Sequence, residues 1–181
     1  CIPTKALLKS ANVFEYLTHA SDYGISVKEA KPDFTAMVER SRGVANGMSA
    51  GIQFLMKKNK IDVIKGSGVI KAGKKVAVTA EDGTVTEFTA DKGLIIATGA
   101  RSRELPNLPQ DGEKIIGYRQ AMTLPKQPKK LVVVGSGAIG IEFAYFYNAL
   151  GTEVTVVEYL PNIVPVEDED VSKQLEKSFK K

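Results

Sequence analysis

Leu131-Val132-Val133-Val134-Gly135-Ser136-Gly137-Ala138-Ile139-Gly140 reads as a short apolar strand, a glycine turn and the opening of a helix. Helical patterning continues to about Leu150, and Glu153–Glu158 returns as a second strand ending in an acid. A run of Val and Leu this short, ended by a glycine turn and followed by a helix, reads as an apolar strand. The segment is therefore a βαβ unit, and it sets the class of the whole chain as α/β.

The glycines at 135, 137 and 140 match G-x-G-x-x-G. That pattern is weak alone but specific when it lies between a strand and a helix and is followed by an acid at the end of the next strand. Gly135 permits the tight turn, Gly137 lets a pyrophosphate approach the backbone, and Gly140 lets helix and strand pack closely. Backbone N–H groups at the helix N-terminus then hold the phosphates, with Ser136, Ala138 and Ile139 among the residues of the cofactor loop. Glu158 is placed to accept hydrogen bonds from the adenosine ribose. A carboxylate repels a 2′-phosphate, and the following Tyr159, Leu160 and Pro161 bring no arginine, so the ligand expected is NAD rather than NADP. Glu142 lies on the first turn of this helix, where negative charge is stabilising.

Upstream, Pro106, Pro109, Pro125 and Pro128 punctuate a connecting segment, which puts a domain boundary near residue 125: 1–125, then 126–181. Before it, Gly93-Leu94-Ile95-Ile96-Ala97 has the composition of a short buried strand. It leads into Thr98-Gly99-Ala100, small residues that admit close approach of another group. Strand-like runs at Asp62–Lys65, Val69–Lys71, Lys75–Thr79 and Val85–Thr89 suggest an antiparallel meander, with Asp82-Gly83 as a hairpin turn. Gly66-Ser67-Gly68, read alone, is a bend between strands. A long helical stripe runs from Phe34 through Met37, Val38, Ser41, Val44, Ala45, Met48, Ile52 and Leu55 to Met56, its methionines acting as core filler.

The chain starts Cys1-Ile2-Pro3-Thr4-Lys5, and Leu7, Leu8, Ala11, Phe14 and Leu17 recur at helical spacing. Pro3 suits a first helical turn. Cys1 then stands just before a helix N-terminus, where the dipole favours a thiolate, with Lys5 one turn on. Taken alone, Cys1 is a lone thiol without a partner. His19, the only histidine, is a residue of the helix end. At the other end, Glu167–Asp170 is an acid-rich helix start rather than a metal cluster. That last helix carries Val171, Leu175 and Phe179 on one face, with Lys177, Lys180 and Lys181 complementing its C-terminus.

Composition excludes several classes. The net charge of +4 is modest, with lysines dispersed and no basic stripe interleaved with aromatics, so nucleic acid is not an expected partner. One cysteine argues against a disulfide scaffold. No apolar run approaches the roughly 20 residues of a membrane span.

The Cys1–Lys5 run, Ala97-Thr98-Gly99 and the Gly135–Glu158 fingerprint occur in an order and spacing that resemble the dihydrolipoamide dehydrogenases of the pyridine nucleotide–disulfide oxidoreductase family. The resemblance runs over essentially the whole chain. It implies part of an FAD-binding domain (two helices, the meander and the buried strand), followed by the first βαβ half of a Rossmann-type NAD domain. It also implies FAD and NAD as cofactors, with Cys1 as the flavin-facing sulfur of a redox disulfide. Lys5 and Glu142 are implied to form an ion pair near the flavin, and Gly68 and Thr98–Ala100 to lie against FAD. The implied reaction is oxidation of protein-bound dihydrolipoamide, electrons passing through the disulfide and FAD to NAD. Implied partners are lipoyl-bearing subunits of 2-oxoacid dehydrogenase complexes and a second copy in a homodimer, in the cytoplasm. A partner cysteine and further FAD, NAD and interface segments are expected outside this stretch, so the chain alone is expected to be inactive. A mercuric or glutathione reductase-like enzyme is the alternative, as is a non-catalytic NAD-binding or structural module.

Overall fold

The computed structural model describes residues 1–180, which form two compact units: Cys1–Met48 with the chain from Glu104 onward, and Ser49–Arg103. In the first, helix α1 (Ile2–Thr18) starts at Cys1 as N-cap, with Pro3 in its first turn, and closes at His19. A short 3-10 turn (Ala20–Tyr23) ends at Gly24. The part of helix α2 (Phe34–Lys58) that belongs to this unit, up to Met48, contributes Phe34 and Ser41 to the buried interior. Beyond the proline-marked segment, the four-residue helix α3 (Tyr118–Ala121) precedes strand β4 (Lys130–Val134), helix α4 (Ala138–Ala149) and strand β5 (Glu153–Val157). Helix α5 (Glu169–Phe179) closes the unit.

β4 and β5 pair in parallel from Lys130↔Glu153 to Val134↔Val157, the crossover being α4. This is the expected βαβ unit. Its start is tied by Gln127, which donates to the Leu150 carbonyl at 2.9 Å and to Thr152 Oγ1 at 3.1 Å, while Thr152 donates to the Pro128 carbonyl at 2.8 Å. The core forms where α1 packs on α4: Leu7 and Ala11 meet Phe34, Phe143, Phe146, Tyr147 and Leu150. Phe146 and Tyr147 lie edge to face at 5.1 Å, and the Tyr147 hydroxyl donates to the Ala121 carbonyl at 2.6 Å. Its burial raises the pKa of that phenol. α4 is apolar on nearly every side because it is wedged between the strand pair and α1.

Asp168 caps α5, accepting from the Asp170 N–H at 2.9 Å, so the acid run is a helix start. Among the described residues no cluster of His, Cys, Asp and Glu could hold a metal. The buried residue of α5 is Ser172, while Val171 and Phe179 stay exposed, so the expected apolar face is only partly used. Lys177 and Lys180 stand at its end as expected, and Lys181 lies outside the described residues.

In the second unit, strands β1 (Ser67–Lys71), β2 (Lys75–Thr79) and β3 (Val85–Thr89) form the antiparallel meander in the order β1-β2-β3. The β2–β3 hairpin is fixed by Asp82, whose carboxylate accepts from the Thr84 N–H at 2.9 Å. Two expectations fail. Asp62–Lys65 is not a strand, and neither is Leu94–Ala97, where Ile95 is 95% and Ile96 68% exposed. A strand of a parallel sheet needs a neighbour on its backbone, and no described strand pairs with either run. The α2 stripe is also buried only at its start: Met48, Ile52 and Leu55 are exposed, so Met48 is not core filler. No described helix is long and apolar enough to cross a membrane.

Candidate functional site

The site residues of the first unit lie at two neighbouring helix starts. At α4, the chain leaves β4 through Gly135, whose φ of +97° favours glycine and whose N–H donates to the Val157 carbonyl at 2.8 Å. Gly137 is an extended N-cap, and no side chain caps the helix. Its first N–H groups therefore point outward without intrahelical partners, the arrangement that holds anionic phosphate. Gly140 is fixed by crowding. A Cβ there would drive into the Gly135 carbonyl oxygen and lie 3.1 Å from Val133 Cγ1. The first turn of α4 carries no acid. Glu142 is its fifth residue and belongs to the second turn, not the first as expected.

At the other side of this loop stands Glu158, just past β5. Its Oε2 accepts from the Ser136 N–H at 2.8 Å and from the Ser136 hydroxyl at 2.6 Å, and its Oε1 accepts from the Leu160 N–H at 2.9 Å. The Leu160 N–H and then the two Ser136 donors hold its pKa down at about 2. Ala138 and Ile139 line the helix start and are exposed. Glycine spacing, uncapped helix and ionised acid together fit a dinucleotide.

Cys1 is exposed at the start of α1, where its carbonyl accepts the Lys5 N–H at 3.0 Å. Because α1 packs on α4, the Lys5 ammonium meets the Glu142 carboxylate in an ion pair, 137 positions apart in sequence. The implied contact is present. Thr4, one residue earlier, is buried and donates to Met122 Sδ at 3.5 Å. The whole chain, residues 1–181, matches the family model described as "Pyridine nucleotide-disulphide oxidoreductase".

The chain belongs to the pyridine nucleotide-disulphide oxidoreductase family.

Curated relatives carry the name dihydrolipoyl dehydrogenase. One from Chlorobaculum parvum is 45% identical over all of this chain and 38% of its own length. One from Zymomonas mobilis is 46% identical over all of this chain and 39% of its own. A solved structure, LpdA from Mycobacterium tuberculosis, superposes with a TM-score of 0.86 at 35% identity, covering 99% of this chain and 39% of that one. The chain thus spans about two-fifths of the length of these relatives.

The remaining candidate residues belong to the Ser49–Arg103 unit. Gly68 sits within β1 opposite Val78, in a strand rather than a bend. Thr98, Gly99 and Ala100 come after the unpaired apolar run, outside any strand and exposed. Sequence reasoning missed a third tether in the first unit. Tyr145, on α4, donates to the Glu15 carboxylate of α1, and burial and that contact push its pKa up to about 12. A tyrosine at helical spacing from core residues is ambiguous without its neighbour, so nothing in the pattern of α4 pointed to Glu15.

Proposed function

We propose that this chain supplies the NAD-holding loop and one redox sulfur of a dihydrolipoyl dehydrogenase that oxidises protein-bound dihydrolipoamide. The observation that carries this reading is the Lys5–Glu142 pair, which ties the helix behind Cys1 to the helix behind the dinucleotide loop. In this reading Gly135, Gly137, Ala138, Ile139 and Gly140 form the pyrophosphate cradle, Ser136 gives its donors to Glu158 instead of to phosphate, and Glu158 selects NAD by repelling a 2′-phosphate. FAD, when bound, supplies the relay between dithiol and nicotinamide chemistry. Cys1 would face it, Lys5 and Glu142 would set the charge beside it, and Gly68 and Thr98–Ala100 would admit its close approach. The functional division falls at 1–125 for FAD and 126–181 for NAD. The full enzyme works as a cytoplasmic homodimer on lipoyl-bearing subunits of 2-oxoacid dehydrogenase complexes.

Cys1 is the only cysteine in the chain, so no intrachain disulfide can form and this polypeptide alone does not turn over. Fluorescence titration of the purified chain with NADH should show saturable binding, while an assay with dihydrolipoamide and NAD should yield no NADH. Absent NADH binding together with a defined oligomer by light scattering would favour a purely structural module. NADH formation by the chain alone would refute the assignment of its missing sulfur.

A further inference from the structure

The Ser136 side chain is fully buried in the turn between β4 and α4, and its hydroxyl has two partners. It donates to Glu158 Oε2 at 2.6 Å and accepts the Val164 N–H at 3.2 Å, while the Ser136 carbonyl accepts the same N–H at 3.1 Å. A hydroxyl with one donor and one acceptor partner has a single orientation. Val164 in turn sits at φ +42°, an uncommon conformation for a β-branched residue, so the returning segment after β5 is bent to reach this serine.

The acceptor capacity of Glu158 limits what it can read. A carboxylate offers about four lone-pair positions. Three are filled from within the chain, two on Oε2 by Ser136 and one on Oε1 by Leu160. The unfilled capacity is on Oε1.

We propose that Ser136 is a positioning residue for nucleotide selection: its hydroxyl anchors Oε2 of Glu158 so that Oε1 alone is presented to a ribose hydroxyl. This rests on the assignment of the loop to NAD. It departs from a carboxylate that grips the ribose diol with both oxygens, and it assigns the selectivity to a side chain at a position the glycine motif leaves unspecified.

The test compares binding of ADP-ribose with binding of its analogue lacking the 2′-hydroxyl of the adenosine ribose, by calorimetry on the purified chain. The unsubstituted chain should prefer ADP-ribose by about tenfold, the scale of one hydrogen bond to a charged acceptor. Ser136→Ala should cut that preference to about twofold, the loss falling on ADP-ribose rather than on the analogue. Glu158→Ala should abolish the preference, and adding Ser136→Ala to it should cause no further loss, because the serine acts through the carboxylate. Ser136→Cys, similar in size and a weaker donor, should give an intermediate preference, and it serves if the alanine variant does not fold. ADP-ribose binding with the full preference retained in the Ser136 variants, or losses that add in the double variant, would overturn the inference while leaving the NAD assignment intact. No ADP-ribose binding by the unsubstituted chain would overturn both.

Discussion

Two runs of the chain differ little in kind: Leu131-Val132-Val133-Val134 and Leu94-Ile95-Ile96-Ala97 are equally short and wholly apolar. Their pairing differs completely, although Val132 and Val134 of the first are exposed on one face as well. The first is paired along its whole length with β5, and α4 packs on it. The second has no ladder partner among the described strands and exposes Ile95 almost entirely. The difference lies in the segment downstream of each run. After Val134 the chain itself supplies a crossover helix and a parallel neighbour that ends at Val157, whereas after Ala97 it goes into Thr98-Gly99-Ala100 and the proline-marked connector. Apolar composition sets what a strand can bury, and the pairing must be provided separately.

That contrast predicts a gradient of mutational cost, which denaturant unfolding of the chain can read. The largest effect should come from Phe146→Ala, which empties the interior of the packed βαβ side and should cost about 4 kcal/mol. Gly140→Val should come next at roughly 3 kcal/mol, because the obstructing atom is the Gly135 backbone carbonyl, which cannot rotate away. An equal cost for a substitution in the unpaired run would erase the contrast.

A smaller effect belongs to pH. The carboxyl of Glu158 is depressed from an ordinary 4.5 to about 2 by the Leu160 and Ser136 donors. The folded state therefore binds its proton less tightly than the unfolded chain, and the stabilisation is complete above pH 4.5 and fades as pH falls toward about 2. The stability gap between the unsubstituted chain and Glu158→Gln should hold steady above pH 4.5 and narrow below it; a constant gap down to pH 2 would mean that the donors do not favour the ionised form. The smallest effect is Ile95→Ser, which should change unfolding by less than about 0.5 kcal/mol. A larger loss would show that this run has a buried partner.

The glycine spacing, the crossover helix and the acid after β5 were legible because each comes from local backbone demands that only a few residue types meet. So was the meander, through its Asp82-Gly83 turn. The Lys5–Glu142 pair was reached only through the family resemblance, since no local rule links residues so far apart. Helix α3 escaped because four residues give no period, and Ser172 escaped because burial of a small polar residue depends on the loop that covers it. The clamp of Ser136 on Glu158 was hidden for another reason. The G-x-G-x-x-G pattern leaves the position after its first glycine unspecified, so the identity of that residue acquires meaning only with the carboxylate 22 residues later in place.

The seating of α1 on α4 also fixes how this unit can breathe. Leu7 and Ala11 share one interior with Phe143, Phe146 and Tyr147, and the Lys5–Glu142 and Glu15–Tyr145 contacts bind the two helices at separate points along their lengths. Amide protons of both helices should therefore exchange with deuterium through one shared opening rather than helix by helix. The thiol of Cys1 and the glycine loop before α4 then report on the same event: a fluctuation that loosens one loosens the other.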